Sequence, residues 1–404
     1  MIYFYYTNFR SITLFTHLGT RISIIDDISK DFPNEVYSNS VTWSSSSSYD
    51  CADSWIDAIG SLLDETPVHL RRNLKSICFS GTSASCLLVD KHKAVSRKPR
   101  MYNYDVKKSS SSCVEKTISL LKEFVPERHI ALSTTGSLAK LLLWNEEANI
   151  KINDEVLAHQ SDYVIRHFLN NEDEEFTITS DWHNCLKLGY DVQNLSWPKW
   201  FTKCLQTNGI PLSVLPNRVL SPGQVIGKIC SEKAEEFQIN NECVLVAGTT
   251  DSNAAFFAAM GNTCFASSYD NIPFGTAVTS LGSTLAIKQL SKSYVEDASR
   301  GVYSHRLPVN SDFDGKETAW LIGGASNVGC AVLRDQQFTN DELDRLSNLI
   351  DPCTDSPLNY YPLVKQGERF PIADTERLPM LEPKPENRVE YLHAILQGIS
   401  NVVG

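Results

Sequence analysis

With 404 residues the chain can bury two separate apolar interiors, so two domains with a site between them are expected. Hydrophobic residues at 42% and charged residues at 21% are ordinary globular values, and a net charge of -11 argues against a nucleic-acid partner, which needs a basic face. An anionic nucleotide is still allowed, because backbone amides at glycine turns and a metal ion can hold phosphate locally.

The opening residues 1–15 are apolar but broken by Asn8 and Arg10, too short a run to cross a bilayer, so no membrane partner is expected. They lack acidic residues and carry Arg10, Ser11 and Thr13, as an organelle-import peptide does, although their three tyrosines fit that poorly. A soluble protein of the cytoplasm or plastid is expected. The eleven cysteines form no C-x-x-C pair and read as reduced thiols, mostly small core residues.

Residues 18–26, LGTRISIID, alternate as a strand leaving a glycine turn does, and 37–50, with its SSSSS run, reads as a solvated loop. Helical spacing at Trp55, Ile56, Ile59 and Leu62 predicts a helix over 54–63. SICFSGTSASCLLVD, 76–90, reads as strand, turn, strand, and its small hydroxyl-bearing centre, 80–85, suits a tight turn that offers donors to a polyol. Helices follow at 119–124 and 137–147, the second with Leu138, Leu141, Leu142 and Trp144 inward and Lys140 pointing away from that face. A further helix is expected over 157–169, and the acidic NNEDEE, 170–175, as an exposed loop. Alternation around 242–246 and again in FGTAVTSLGSTLAIK, 274–288, gives each half a strand pair at a glycine turn.

Three places carry candidate chemistry. In VLVAGTTDSNAAFFAAMG, 244–261, an apolar strand meets a small-residue helix, and Thr249, Thr250, Asp251 or Ser252 is its N-cap. Asp251 is then either a capping carboxylate or one presented into a cleft to accept a hydroxyl proton. Gly282, Ser283 and Thr284 form either a hairpin turn or a turn whose amides and hydroxyls hold phosphate oxygens. Gly323 and Gly324, in WLIGGASNVGC, read as a strand-to-helix turn. His183 lies in the polar and aromatic SDWHNCLKLGYD, where a surface or packing role outweighs catalysis. No G-x-x-x-x-G-K-[ST], H-E-x-x-H or G-x-S-x-G occurs.

SGTSASCLLVD, SDWHNCLKLGYD, AGTTDSNAAFFAAMG, AVTSLGSTLAIK and LIGGASNVG occur in that order. Together they resemble the FGGY carbohydrate kinases over roughly residues 50 to 400, closest to the plant and cyanobacterial D-ribulose kinase (xylulose kinase-like) branch, which YYPLVKQGERFPI, 360–372, also fits. The resemblance implies an α/β protein with the two-domain actin-like ATPase (ribonuclease H-like) fold. A sugar-binding domain over 1–262 and a nucleotide-binding domain over 263–404 would then enclose a cleft. It implies phosphorylation of a sugar hydroxyl with ATP and Mg²⁺: D-ribulose first, with D-xylulose, another polyol or a seven-carbon sugar near it. Asp251 stands where the family's catalytic base does, Thr82 and Ser83 in the loop lining the sugar pocket, and Gly282, Ser283 and Thr284 at the ATP phosphates, with Gly323 and Gly324 near the nucleotide.

Two stretches depart from the family, both on the ATP side. The family's first strand enters an Asp-x-Gly-Thr-x-x-x-Arg phosphate loop, but aligning Arg21 with its arginine leaves Thr16 and His17 in place of Gly-Thr, with no acidic residue ahead of Gly19. The sequence also stops at GISNVVG, 398–404, where the family continues through a helix pair and a Gly-Gly-rich turn that grips adenosine, so the second domain is expected to be incomplete. Besides an active kinase, the sequence therefore allows a sugar-binding or regulatory relative without productive ATP binding, or a fragmentary gene reading.

Overall fold

The computed structural model describes residues 10–15, 19–26, 34–43, 49–90, 92, 94–151, 154–170, 177–261, 271–307 and 318–403. It divides into two compact units, residues 1–273 with 305–319 and residues 274–304 with 320–404. No helix among the described residues is long and apolar enough to cross a membrane.

The first unit opens with strands β1 (Arg10–Phe15), β2 (Gly19–Asp26) and β3 (Asn34–Thr42), then helices α1 (Ala52–Glu65) and α2 (Val68–Arg72). Strands β4 (Ser76–Ser80), β5 (Cys86–Val89) and β6 (Val95–Arg100) lead to helices α3 (Val114–Phe124) and α4 (Ser137–Glu147). Next come β7 (Val156–His159), α5 (Gln160–Phe168), β8 (Thr179–Asp181), α6 (Trp182–Cys185) and α7 (Lys199–Thr207). The unit continues through β9 (Arg218–Leu220), β10 (Val225–Lys228), α8 (Ser231–Glu236), β11 (Val244–Val246) and α9 (Asp251–Met260). The chain then forms β12 (Ala277–Leu281), β13 (Leu285–Ser291), β14 (Tyr303–Arg306), β15 (Trp320–Ser326), α10 (Ala331–Asp335), α11 (Asn340–Ser347) and α12 (Arg388–Ser400).

The main sheet of the first unit runs β10-β11-β4-β1-β2-β3. Strands β1 to β3 pair antiparallel in sequence, whereas β1 with β4 and β4 with β11 are parallel. Two short parallel pairs thus stand mid-sheet; every residue of β4 is buried, as are Leu245 and Val246 of β11, as parallel strands require. Ile22, Ile24, Ile77, Phe79 and Leu245 of this sheet pack on Trp55, Ile59 and Leu62 of α1 and Tyr163, Val164 and Phe168 of α5. A second core gathers Leu138, Leu141, Leu142 and Trp144 of α4 against Leu120 and Leu121 of α3, Phe201 and Leu205 of α7, and Leu88 and Leu157 of the β6-β5-β7 sheet. In the second unit Tyr391, Leu392, Ile395 and Ile399 of α12 pack with Leu285, Val332, Leu333 and Leu346.

Three expectations need correction. Residues 37–42 are part of β3 rather than a loop; among the described residues β3 pairs only with β2, and its half-buried Tyr37, Asn39 and Val41 alternate with exposed Ser38, Ser40 and Thr42. The serines mask the period of an edge strand. Residues 157–159, expected to be helical, end β7 and pair with β5, and His159 caps α5; a short apolar run does not separate helix from strand by periodicity. Lys140 does not face solvent: every residue of α4 from Ser137 to Asn145 is buried, because α3, the three-stranded sheet and their connections cover the helix on all sides. Residues 16–17 and 171–175, which carry the first-loop substitutions and most of the acidic run, lie outside the described residues. The ten cysteines among the described residues are free thiols.

Candidate functional site

The adjacent parallel strands β4 and β11 continue in contact past their carboxyl ends. The Gly81 amide donates to Thr249 O (3.2 Å), the Asp251 amide donates to Gly81 O (2.9 Å), and Gly81 pairs with Thr250 in a parallel bridge. Gly248 permits this approach, since a Cβ there would stand 1.8 Å from Phe79 O, while a Cβ on Gly81 would stand 3.1 Å from the Ser161 amide of α5. Asp251 and the 82–85 turn are thereby brought together at the carboxyl ends of two central parallel strands, where open α/β sheets present their ligand sites.

Thr250, extended at φ -82°, occupies the N-cap without a side-chain capping bond, and Asp251 is the first helical residue. Its Oδ1 accepts from the Ser252 amide at 2.8 Å, and the side chain is half-buried. A carboxylate there is favoured by the helix dipole. In the turn, Thr82 is buried; its amide and Oγ1 both reach Gln160 Oε1 (3.0 Å each), and Oγ1 is 2.5 Å from Ser85 Oγ. Thr82 therefore holds the turn together, while Ser83 is half-exposed.

Behind the turn lies a polar interior that single-residue reasoning missed. Ser137 Oγ is 3.2 Å from His159 Nε2, and His159 Nδ1 is 3.1 Å from Asp162 Oδ2. This order matches a hydrolytic triad, but Ser137 and His159 are 0% and Asp162 3% exposed, so no substrate reaches it and the set is structural. Asp181 caps α6, its Oδ1 accepting from the His183 and Asn184 amides and its Oδ2 from Asn184 Nδ2. Burial, then the charge of Asp162, pushes the Asp181 carboxyl up to about 7. His183 is buried, with Nε2 2.7 Å from Arg306 O and Nδ1 2.6 Å from Thr249 Oγ1. A carbonyl only accepts, so Nε2 carries the proton, and a neutral ring then takes the Thr249 hydroxyl at Nδ1. His183 thus has a packing role, supporting the segment that carries Asp251.

Thr250 Oγ1, both amide atoms of Asn253, Asn184 Oδ1 and Trp182 Nε1 are buried without a hydrogen-bond partner among the described residues. Leaving such atoms unmet costs about 1–3 kcal/mol each, and Thr250 and Asn253 lie within two residues of Asp251. Polyol hydroxyls offer both donors and acceptors for such a set.

In the second unit, β12 and β13 form a hairpin whose turn is Gly282, Ser283 and Thr284. The Cys330 amide donates to Gly282 O (2.8 Å) and the Ala331 amide to Ser283 O (3.3 Å), seating the turn on 328–331. A Cβ on Gly329 would stand 2.6 Å from Ser283 O and Thr284 Cα, so this glycine sets the seat. Gly282 differs: its φ is not left-handed, and a Cβ there would meet nothing nearer than Thr284 O at 3.7 Å. Neither strain nor crowding requires a glycine, which leaves the backbone open to an approaching ligand. Gly323 and Gly324 lie inside β15, opposite Lys288 and Ile287, rather than in a strand-to-helix turn. The tight seven-residue pairing with β13 carries the strand through them, and a Cβ on Gly324 would stand 2.4 Å from the Phe370 ring.

No family model matches the chain. A ligand-bound xylulose kinase from Lactobacillus acidophilus aligns with a TM-score of 0.75 at 16% identity, over 98% of this chain and 77% of that one. A gluconate kinase from Lactobacillus acidophilus gives 0.74 at 15%, over 98% and 77%. Plasmodium falciparum glycerol kinase with ADP gives 0.72 at 15%, over 98% and 78%. The chain has the fold of these two-domain sugar kinases, the actin-like ATPase fold.

Proposed function

We propose that the chain is an FGGY-type carbohydrate kinase that phosphorylates a hydroxyl of a ketose, D-ribulose first, with D-xylulose, another polyol or a seven-carbon sugar as alternatives. The observation that carries this is Asp251: a half-buried carboxylate on the first turn of α9, tied through its own amide to Gly81 and so to the 82–85 turn. Asp251 would accept the proton of the attacking hydroxyl, a contribution of about 10²–10⁴ in rate. Ser83, Thr250 and Asn253 would orient the sugar. In the second unit the Gly282, Ser283 and Thr284 turn suits phosphate oxygens, since Gly282 is open and two hydroxyl-bearing residues follow it. ATP would supply the phosphoryl group, with Mg²⁺ offsetting its charge.

The test is ATP consumption with a panel of D-ribulose, D-xylulose, gluconate and glycerol, in wild type and Asp251→Asn. Sugar-dependent turnover that falls by about 10²–10⁴ in the variant, at a sugar Kd changed less than about threefold, supports the assignment. Turnover with no sugar, or full activity in the variant, overturns it.

A second reading, sugar binding without phosphoryl transfer, has one observation in its favour. The Gly-Thr pair of the first strands, Gly19-Thr20, is committed to the sheet: a Cβ on Gly19 would stand 2.0 Å from Val41 O, and Thr20 is buried. Calorimetry separates the two readings, because tight MgATP binding contradicts the second.

A further inference from the structure

Lys140 is 0% exposed, yet its ammonium meets no carboxylate among the ion pairs of the described residues. Its Nζ instead donates to two main-chain carbonyls, Ala84 O and Met101 O, at 2.7 Å each. Burial lowers its pKa only to about 8, so at neutral pH it remains a cation with three protons to donate. A buried cation held by neutral acceptors is an expensive way to fill a core, and an apolar side chain would serve α4 as well.

What the ammonium touches gives it another use. Ala84 has φ +65°, a left-handed conformation that alanine adopts at a cost. It lies between half-exposed Ser83 and buried Ser85, and Ser85 Oγ accepts from the Tyr102 amide at 2.8 Å, one residue beyond the second carbonyl. Two neighbouring residues of the turn are therefore pinned to residues 101–102, one through Lys140 and one directly. Arg100 Nη1 donates to Lys140 O at 3.2 Å and closes the connection back onto α4.

We propose that Lys140 is a positioning residue whose buried ammonium holds Ala84 in its left-handed conformation and so fixes how the 82–85 turn presents Ser83 to a sugar. The role rests on the sugar-binding reading of that turn. Strain held next to a ligand-facing residue by surrounding contacts is pre-organisation, and it acts on affinity for the sugar rather than on the nucleotide.

The test uses the full chain with Lys140→Met, Lys140→Gln, which keeps a donor for one carbonyl, and Lys140→Met combined with Ala84→Gly. Amide hydrogen exchange and calorimetry with D-ribulose, D-xylulose and MgATP are read together. Lys140→Met should speed exchange at 82–86 and 101–104 while leaving α9 and β13 unchanged, and weaken sugar binding by about tenfold or more with MgATP affinity unaltered. Ala84→Gly, which holds a positive φ without strain, should restore part of the sugar affinity, a rescue that a purely structural role does not predict. If Lys140→Met does not fold, Lys140→Gln carries the comparison, with a smaller loss expected. Unchanged sugar affinity, exchange quickened uniformly along the chain, or no rescue by glycine overturns the role of Lys140 alone. A wild-type chain that binds neither ketose overturns the sugar reading and this role with it.

Discussion

Asp251 and Lys140 show opposite limits of reading single residues. The strand-to-helix pattern around Asp251 announces a helix start, and Asp251 is the first helical residue. What the pattern does not show is that its amide lands on Gly81, 170 positions earlier, because that bond depends on β4 and β11 being neighbours. Lys140 looks solvated on a helical wheel, since a wheel knows one apolar face and not how many elements cover the helix. Asp181 offers a prediction at this scale. Its raised carboxyl keeps a proton in the folded chain that the unfolded chain releases near pH 4, so its contribution to stability is full below that pH and is lost as pH rises through about 7. Stability in urea unfolding between pH 4 and 8 should therefore decline more steeply in wild type than in Asp181→Asn, by an amount on the order of a few kcal/mol at the upper end. Parallel curves would show that Asp181 is ionised throughout.

Elements with a clean period were legible: α4 spans the 137–147 predicted from its leucines, α1 contains 54–63, and the 274–288 stretch is a hairpin. Elements whose period is masked by composition were not, such as serine-rich β3 and the three-residue apolar start of β7. Two predictions belong here. Leu142→Ala, in a helix buried on all sides, should cost about 2–5 kcal/mol in urea unfolding; a loss below about 1 kcal/mol would mean that α4 repacks freely. Gly329→Ala forces the 282–284 turn off its seat, because the new Cβ would stand 2.6 Å from Ser283 O. MgATP affinity should drop by about tenfold with D-ribulose affinity unchanged, and an unaltered MgATP Kd would remove that turn from the nucleotide site.

At the scale of the whole molecule, the sheet order β10-β11-β4-β1-β2-β3 and the likeness to sugar kinase structures agree on the fold. Composition and length pointed to two units but not to the return of residues 305–319 to the first. That return gives His183 its partner, Arg306 O, 123 residues away, and no local pattern encodes so distant a carbonyl. The candidate site was legible only as far as ordered motifs carry it: Asp251 and the 82–85 turn are brought together by the fold, whereas the buried support from Lys140, Gln160, His159 and Asp181 is dispersed along the chain. The central claim is that Asp251 takes a proton from a sugar hydroxyl during phosphoryl transfer. Phosphorus NMR of wild type and Asp251→Asn incubated with MgATP and D-ribulose tests it most directly. The account predicts a sugar phosphate signal growing with wild type and essentially none with the variant; equal signals from both, or none from wild type with any ketose offered, would contradict it.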